Sequence, residues 1–320
     1  MQGDQNFREY LEARFAVDSQ SLNQKTYAGF TRLLSHIANP ILLDVGTGTA
    51  AMIRRIVAGV SEMSMVLYGI DSNRDLLEAG RHEIAEILIG HGYAIRGGDQ
   101  VTTATKGSST IEIRLVPGDL FDEKLQASLR KIPFNVVTSH AFMDAAPLDQ
   151  TLSLFADILP KGGLFYSTLN YDGRTELLPF FEDRRFEEEL LAVHERTAGD
   201  EPVFQGSRRP SVSEAGGPPW SEVGGKRTGS LLYDSTVRKG FNIAGFGSSD
   251  WAVFPWGGRY SGMEEVFLNS LVLTIYEEGL RQPGLDRYTL SAWYAERSRS
   301  IEERKLALIT HQTDMLAVRA

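Results

Sequence analysis

The sequence contains no cysteine, and this absence removes several kinds of chemistry at once. A chain of 320 residues without cysteine has no disulfide bond, no thiolate metal ligand and no cysteine nucleophile. Positive charge is also scarce, because 42 Asp and Glu residues outnumber 33 Lys and Arg residues and give a formal net charge of −9. Since nucleic acid is bound by a basic face, this balance argues against a nucleic-acid partner.

Long apolar runs are missing as well. The most apolar helix-length stretch, residues 266–276, contains Asn269, Ser270 and Thr274 and is too short to cross a bilayer. Residues 1–14 are polar and mixed in charge, unlike a secretory signal peptide. We therefore expect a soluble, cytoplasmic protein that does not contact a membrane.

Short apolar segments alternate with helical periodicity between residues 40 and 170. The predicted strands of this region are Ile41–Asp44, Val66–Ile70, Glu112–Val116, Phe134–Thr138 and Leu164–Leu169. Between them apolar residues recur at helical spacing, and Pro147 suits the first position of one of these helices. The alternation predicts a doubly wound α/β fold with a mostly parallel sheet and helices on both faces. The polar residues 97–109 predict a surface loop or a hairpin.

The pattern changes after residue 170. Residues 199–229 show no periodicity, and 15 of these 31 residues are Gly, Pro or Ser, which predicts either a functional lid or a disordered segment. A helix over 231–239 and a strand over 241–246 follow. Ser261 and Glu264 then have the spacing of a capping box at the start of an apolar helix.

These changes of pattern divide the chain into four parts. They are an N-terminal helical cap (1–39), a Rossmann-like core (40–170), an insertion or lid (171–240) and a C-terminal part that completes the sheet and adds helices (241–320). A length of 320 residues suits one large domain, or a domain with a sizeable insertion.

The first predicted strand runs into a glycine turn, Asp44-Val45-Gly46-Thr47-Gly48-Thr49-Ala50. A Gly-x-Gly turn between a strand and a helix brings backbone N–H groups close to a ligand. The same pattern also satisfies the dinucleotide-binding fingerprint. The turn alone therefore indicates a nucleotide-like ligand and leaves its identity open.

Three acidic residues lie at successive strand ends beside this turn. Asp44 precedes the first glycine by two residues, where a carboxylate complements a positively charged sulfonium and repels a pyrophosphate. Asp71 follows 27 residues later and can accept both ribose hydroxyls, and Asp119 can accept from an adenine amino group. Each acid alone also suits a helix N-cap. Together they lie at the edge where open α/β sheets bind ligands, and they favour a sulfonium cofactor.

These motifs, with Tyr68-Gly69-Ile70-Asp71 and Leu159-Pro160-Lys161-Gly162-Gly163, resemble class I S-adenosylmethionine-dependent methyltransferases over residues 40–170. The flanking segments 10–15 and 247–251 are similar to a bacterial branch of that family whose members are mainly uncharacterised. The resemblance implies a seven-stranded sheet whose last strand is antiparallel. Ala50 departs from the pattern, since many members have a third glycine there.

The resemblance implies S-adenosyl-L-methionine as the cofactor. The residues predicted to bind it are Asp44, Gly46, Thr47, Gly48, Asp71, Ser72, Gly118, Asp119, Leu120 and Ser139. In-line methyl transfer needs a general base when the nucleophile must lose a proton. Of the six histidines, His140 is best placed for this role after the fourth strand, although a loop histidine bonded to backbone is the alternative. No histidine pair has a metal-site spacing, so we expect no metal.

Several polar and aromatic residues follow the fourth, fifth and sixth predicted strands at the same edge. Those predicted to bind the substrate are Phe142, Tyr171, Asp172, Ser249, Asp250 and Trp251. The alternative is that Gly, Ser and Asp here only form tight turns.

The insertion and the extra helices suggest a closed pocket, and hence a methyltransferase acting on the oxygen, nitrogen or carbon of a small molecule. A protein methyltransferase, an NAD(P)-dependent oxidoreductase and a non-catalytic cofactor-binding protein are the alternatives. The oxidoreductase is disfavoured because no plausible Tyr-x-x-x-Lys pair is present. The sequence does not determine the oligomeric state.

Overall fold

The computed structural model describes residues 2–59, 63–98, 101–197 and 227–320. Its helices are α1 (Gln2–Ser21), α2 (Gln24–Ser35), α3 (Ala51–Gly59), α4 (Arg74–Gly90), α5 (Glu123–Leu129), α6 (Leu148–Ile158), α7 (Arg184–Thr197), α8 (Thr228–Arg238), α9 (Glu264–Leu280) and α10 (Arg287–Glu302). Its strands are β1 (Ile41–Val45), β2 (Met65–Asp71), β3 (Ala94–Gly97), β4 (Thr102–Lys106), β5 (Ser109–Pro117), β6 (Val136–His140), β7 (Leu164–Leu178), β8 (Phe241–Ser248), β9 (Trp251–Val253) and β10 (Ala307–Arg319). Of the segment 199–229, which was predicted as a lid or as disordered, residues 199–226 lie outside the described residues.

One sheet of ten strands runs through the molecule in the order β3-β4-β5-β2-β1-β6-β7-β10-β8, with β9 paired to β10. The neighbours β5, β2, β1, β6 and β7 are parallel to one another. The last strand, β10, is antiparallel to both β7 and β8. The predicted α/β fold with an antiparallel last strand is confirmed. Seven of these strands form the expected core, and β3, β4 and β9 extend it.

The polar stretch before β5 forms a hairpin, which confirms one of the two predicted alternatives. β4 pairs antiparallel with β5 and also with β3. The turn between β4 and β5 contains Gly107, whose φ of +58° is in the left-handed region that favours glycine. The strands β3 and β4 thus extend the sheet beyond β5 with antiparallel pairing, which needs no crossover helix.

Helices cover both faces of the parallel core because each strand buries side chains on both sides. On one face α2, α3 and α4 pack on residues such as Leu42 and Leu67. On the other face α5, α6 and α8 pack on Leu43, Val137 and Phe165. Continuous burial along β1 follows from this double coverage and explains why four of its five residues are apolar, Asp44 being the exception.

A third apolar core lies beyond the parallel sheet. Helices α1, α7, α9 and α10 pack there on the outer parts of β7, β9 and β10, around Trp293, Leu177 and Leu308. β7 continues without a break to Leu178 and stays paired with β10 up to that residue. The proposed boundary between residues 170 and 171 therefore lies inside a strand. None of the helices in the described ranges is long and apolar enough to span a bilayer.

Two helix starts differ from the predicted ones. Pro147 is the N-cap of α6, one position before the predicted site, so its missing N–H precedes the helix. α9 begins at Glu264, whose carboxylate accepts a hydrogen bond from the backbone N–H of Ser261 at 2.7 Å. This is one half of a capping box, and the N-cap of the helix is Met263, two residues later than the predicted Ser261.

A buried ion pair crosses the third core. Glu187 on α7 and Arg297 on α10 are almost completely buried. Oε1 of Glu187 accepts hydrogen bonds from Nε and Nη2 of Arg297 at 2.9 and 2.5 Å and from Nε1 of Trp293 at 2.8 Å. Nη1 of Arg297 donates to the carbonyl of Pro179 at 2.7 Å. The pair links α7, α10 and the end of β7, and loss of either partner leaves a buried charge uncompensated.

We expect Arg297→Met to lower the free energy of unfolding by about 3–5 kcal/mol, because the carboxylate of Glu187 would stay buried without its cation. Urea unfolding followed by circular dichroism measures this change. Lys305→Met is the control, because Lys305 forms an exposed pair with Glu303 and its loss should leave the midpoint almost unchanged. Equal midpoints for the wild type and Arg297→Met would contradict the expectation.

Candidate functional site

The turn between β1 and α3 adopts the backbone that its glycines permit. Gly46 and Gly48 have φ values of +60° and +54°. A Cβ added to Gly46 would lie 2.1 Å from Cδ2 of Phe142, whereas one added to Gly48 would meet no atom within 4 Å. Ala50 has φ +58°, so the position where the resembled family often carries a third glycine is left-handed here as well. The turn is covered by the Phe142 ring at Gly46 and is open at Gly48.

Strand register brings the predicted cofactor residues to one edge. Val45 at the end of β1 lies beside Ile70 of β2 and Ser139 of β6. Asp71 lies beside Pro117 at the end of β5. The glycine turn, Asp71, Gly118 and His140 therefore lie at the carboxyl ends of neighbouring strands, at the same level.

Asp71 holds the glycine turn through hydrogen bonds to the backbone. Its Oδ2 accepts from the N–H of Gly48 at 2.9 Å, and its Oδ1 accepts from the N–H of Asn73 at 2.8 Å. Each carboxylate oxygen can accept a further bond, and the side chain is partly exposed. The geometry thus leaves Asp71 able to accept hydroxyl groups of a ligand next to the open side of Gly48.

Asp44 lies beneath the turn and is fully buried. The hydroxyl of Thr47 donates to its Oδ2 at 2.5 Å, and that of Thr138 donates to its Oδ1 at 2.7 Å. Burial raises the pKa of Asp44 to about 6, and the two hydroxyl donors oppose this shift. Asp44 can act on a ligand through its charge, while its oxygens are already bonded within the fold.

The remaining predicted cofactor residues differ in exposure. Ser72 and Asp119 are exposed, and Oδ1 of Asp119 accepts from the N–H of Phe121 at 2.9 Å. The N–H of Gly118 donates to the carbonyl of Asp71 at 2.9 Å, which ties the ends of β2 and β5 together. Leu120 is buried.

Ser139 is fully buried, and its hydroxyl donates to that of Ser167 at 2.9 Å. Its side chain therefore lies inside the sheet.

His140 is held from both ring nitrogens. Nδ1 lies 2.7 Å from the hydroxyl of Thr168, and Nε2 lies 3.3 Å from Oδ2 of Asp18 and 3.4 Å from Nη1 of Arg55. Burial and the nearby Arg55 cation lower the pKa of His140 to about 4, although Asp18 opposes the shift. The imidazole is therefore neutral near pH 7 and a weak proton acceptor.

His140 and its partners Asp18, Arg55 and Thr168 form what we call the His140 cluster. Asp18 on α1 is a residue of this cluster that sequence reasoning missed. It is buried, lies 3.7 Å from the guanidinium of Arg14, and its Oδ1 accepts from Nε1 of Trp251 at 3.0 Å. Hydrogen bonds and positive charges lower the pKa of Asp18 against the effect of burial. The available signal was the i, i+4 spacing of Arg14 and Asp18 on one helix face. That spacing does not indicate a partner more than 200 residues away.

Arg55 on α3 was missed for a similar reason. It is buried among apolar positions of the helix, its guanidinium lies 4.6 Å from the Phe15 ring centroid, and it donates to the hydroxyl of Ser19 at 3.0 Å. Burial lowers the pKa of Arg55, and Asp18 opposes this effect. A charged residue on an otherwise apolar helix face was the signal in the sequence.

Asp144 follows β6 and was also missed. Its Oδ1 accepts from the N–H of Tyr171 at 3.0 Å, and the hydroxyl of Thr228 also bonds to the carboxylate. Burial raises the pKa of Asp144 to about 7, while these hydrogen bonds and Arg14 oppose the shift. An acid that titrates near neutral pH thus lies close to the edge that carries His140.

Some of the predicted substrate residues lie near His140 and its partners Asp18 and Arg55, and others bond only within the fold. Asp172 accepts from the backbone N–H and the hydroxyl of Ser230 at 3.1 and 2.7 Å, and so caps the start of α8. Asp250 accepts from Nδ1 of His311 at 2.8 Å. Ser249 is buried. Of the three residues after β8, Trp251 is the one that joins the His140 cluster, through Asp18.

Two clefts lie away from this edge. One of about 270 Å³ lies between the outer part of β7 and α7, and one of about 230 Å³ lies between α2 and α3. Neither is lined by a residue predicted to bind the cofactor or the substrate. The candidate site is therefore defined by strand register and hydrogen bonds, with Phe142 and α1 covering part of it.

Comparison with known proteins gives structural similarity without sequence similarity. No family model matches the chain, and no curated protein matches its sequence. The solved structures similar to it include an S-adenosylmethionine-dependent methyltransferase from Thiobacillus denitrificans in complex with S-adenosyl-L-homocysteine, at 13% identity and TM-score 0.43, covering 94% of this chain and 93% of that one. A methyltransferase from Geobacter sulfurreducens, also with S-adenosyl-L-homocysteine, has 12% identity and TM-score 0.42 over 94% and 92% of the two chains. A putative sarcosine dimethylglycine methyltransferase from Galdieria sulphuraria has 9% identity and TM-score 0.40 over 95% and 85%.

Proposed function

We propose that this protein is an S-adenosylmethionine-dependent methyltransferase that acts on a small molecule. The observation that carries the proposal is the meeting of the glycine turn, Asp71 and Asp119 at the ends of three neighbouring parallel strands. Such an edge is where open α/β sheets bind nucleotide-like ligands. The acids around the turn favour a cationic cofactor over a pyrophosphate.

The residues present fit this cofactor. Gly48 is open toward the ligand side, and both Asp71 oxygens keep acceptor capacity for ribose hydroxyls. Asp119 is exposed and can accept from an adenine amino group. The buried charge of Asp44 lies beneath the turn and attracts a cation. When bound, the cofactor supplies a methyl group on a sulfonium for in-line transfer to a nucleophile.

The residues of the chain mainly position the two reactants and exclude water from the site. Phe142 covers Gly46, and α1 is fixed over the edge by bonds from Asp18 to His140 and Trp251. His140 was the predicted general base. Its lowered pKa and the hydrogen bonds at both ring nitrogens suit a role in positioning α1 better than a role as a base. For an acceptor that must lose a proton, Asp144 is the better proton acceptor because its pKa is about 7.

We expect the protein to bind S-adenosylhomocysteine and to lose about 2–4 kcal/mol of this affinity in Asp71→Ala, since a charge-assisted pair of hydrogen bonds disappears. This corresponds to about a 30-fold to 1,000-fold rise in Kd by isothermal titration calorimetry. Asp75→Ala, which removes an exposed acid on the next helix, is the control. Tight binding of NADH with none of S-adenosylhomocysteine would replace the proposal by an oxidoreductase.

We expect His140 to make stability depend on pH. Its pKa of about 4 lies below the value of about 6.5 of an unfolded histidine, so the unfolded chain binds more protons between these values. Stability therefore falls as the pH falls from 7 to 5, by about 2 kcal/mol relative to His140→Gln. Urea unfolding at both pH values measures the difference. His82→Gln removes an exposed histidine and should follow the wild type. Parallel behaviour of the wild type and His140→Gln would show that His140 is not buried as a neutral ring.

A further inference from the structure

The Phe142 side chain lies on the glycine turn, although the sequence placed it among the substrate residues. A Cβ built on Gly46 would lie 2.1 Å from Cδ2, 2.7 Å from Cγ and 3.0 Å from Cβ of Phe142. The ring therefore occupies the space in which any other residue at position 46 would carry its side chain. Only 7% of Phe142 is exposed. The ring and the turn thus fit together as one unit.

The backbone around Phe142 is held on both sides. Ala141 has a φ of +48°, a left-handed conformation that residues with a Cβ rarely adopt. The N–H of Ala141 donates to the carbonyl of Thr168 at 2.9 Å, and the carbonyl of Phe142 accepts from the N–H of Ala145 at 3.1 Å. Strained backbone persists where surrounding contacts fix it, and it is concentrated at functional sites. The chain that leaves β6 is therefore held with the ring over Gly46.

Strand order sets which part of the cofactor lies near this ring. Under the proposed function, on which this inference rests, Asp119 after β5 binds the adenine and Asp71 at the end of β2 binds the ribose. The sulfonium of the cofactor is attached to the ribose on the side away from the adenine. The next strands in that direction are β1 and β6, each about 4.8 Å further along the sheet. These strands lead into the glycine turn and Phe142, so we expect the sulfonium beside the ring.

His140 and Arg55, at the end of β6 and on α3, give a cation at this place little support. The imidazole of His140 is neutral near pH 7 because its pKa is about 4. The guanidinium of Arg55 lies 3.4 Å from its Nε2 and repels positive charge. The face of an aromatic ring, in contrast, carries negative potential and attracts a cation. Phe142 therefore adds a second group that favours a cation to the buried charge of Asp44 beneath the turn.

We propose that Phe142 distinguishes the cationic methyl donor from its neutral product. The ring contacts the sulfonium of S-adenosylmethionine through a cation–π interaction, and S-adenosylhomocysteine, whose sulfur is uncharged, lacks this attraction. Phe142 is then a specificity residue for the cofactor, beside the ribose-binding Asp71. The consequence is weaker binding of the product than of the donor, which limits inhibition of the enzyme by its own product.

The test compares three ligands by isothermal titration calorimetry on the full chain at pH 7. They are S-adenosylmethionine, sinefungin, which carries an ammonium group in place of the sulfonium, and the neutral S-adenosylhomocysteine. In Phe142→Leu we expect the Kd of both cations to rise about fivefold to thirtyfold relative to that of S-adenosylhomocysteine. The control is Phe121→Leu, which removes a partly buried ring next to Asp119. It should leave these ratios unchanged, because all three ligands share the adenine.

A second replacement separates the charge of the ring face from its packing. With 3,5-difluorophenylalanine in place of Phe142 the ring keeps its shape and its face becomes less negative, so the preference for the cations should fall about threefold or more. S-adenosylhomocysteine affinity and the circular dichroism spectrum should stay as in the wild type, which keeps the test decisive even where Phe142→Leu does not fold.

Two failures are distinguishable. Binding of all three ligands with the same preference in the wild type and in both Phe142 variants would overturn the role of Phe142 and leave the proposed function standing. A wild type that binds neither S-adenosylmethionine nor S-adenosylhomocysteine would overturn the proposed function and this role with it.

Discussion

Parallel pairing of neighbouring strands is the constraint on which the candidate site depends. The strands β5, β2, β1 and β6 run in the same direction, so all of their carboxyl ends lie at one edge. Each strand continues into a turn at that edge because the crossover helix must start there. The glycine turn, Asp71 and Asp119 are thus neighbours in space although they are spread over more than 70 residues of sequence.

Buried charge is concentrated at this edge. Asp18, Asp44, Arg55, His140 and Asp144 are withdrawn from water to different degrees, and each is bonded to groups from other elements. Isolated burial of any of them would be costly, and the partners are what make it tolerable. The same burial moves pKa values in opposite directions, up for Asp44 and Asp144 and down for His140. Groups with different protonation are therefore gathered at one edge of the sheet.

The long strands β7 and β10 join the sheet to the third core. Because β7 continues beyond the end of β6, it offers a second surface on which α1, α7, α9 and α10 pack. This arrangement places α1 over the edge of the sheet, and it creates the cleft between β7 and α7. The link from Glu195 through Tyr171 to Asp144 connects that cleft to the candidate site.

Local sequence determined much of this molecule. The alternation of strands and helices, the glycine turn and the acids near the ends of β1, β2 and β5 were predictable because each depends on residues close in sequence. The hairpin before β5 belongs to the same class of local features.

The tertiary structure decided the partners of these groups. Asp18 meets Trp251 across 233 positions of the chain and His140 across 122. No periodicity encodes such pairs, because they depend on how α1 packs on the extended β7 and β10. Burial, and with it the difference between His140 and Asp144 as proton acceptors, is likewise a property of the folded chain. The sequence by itself determined which residues lie at the edge, while packing between distant segments decided which of them are buried, what they bond to and in which protonation state they are held.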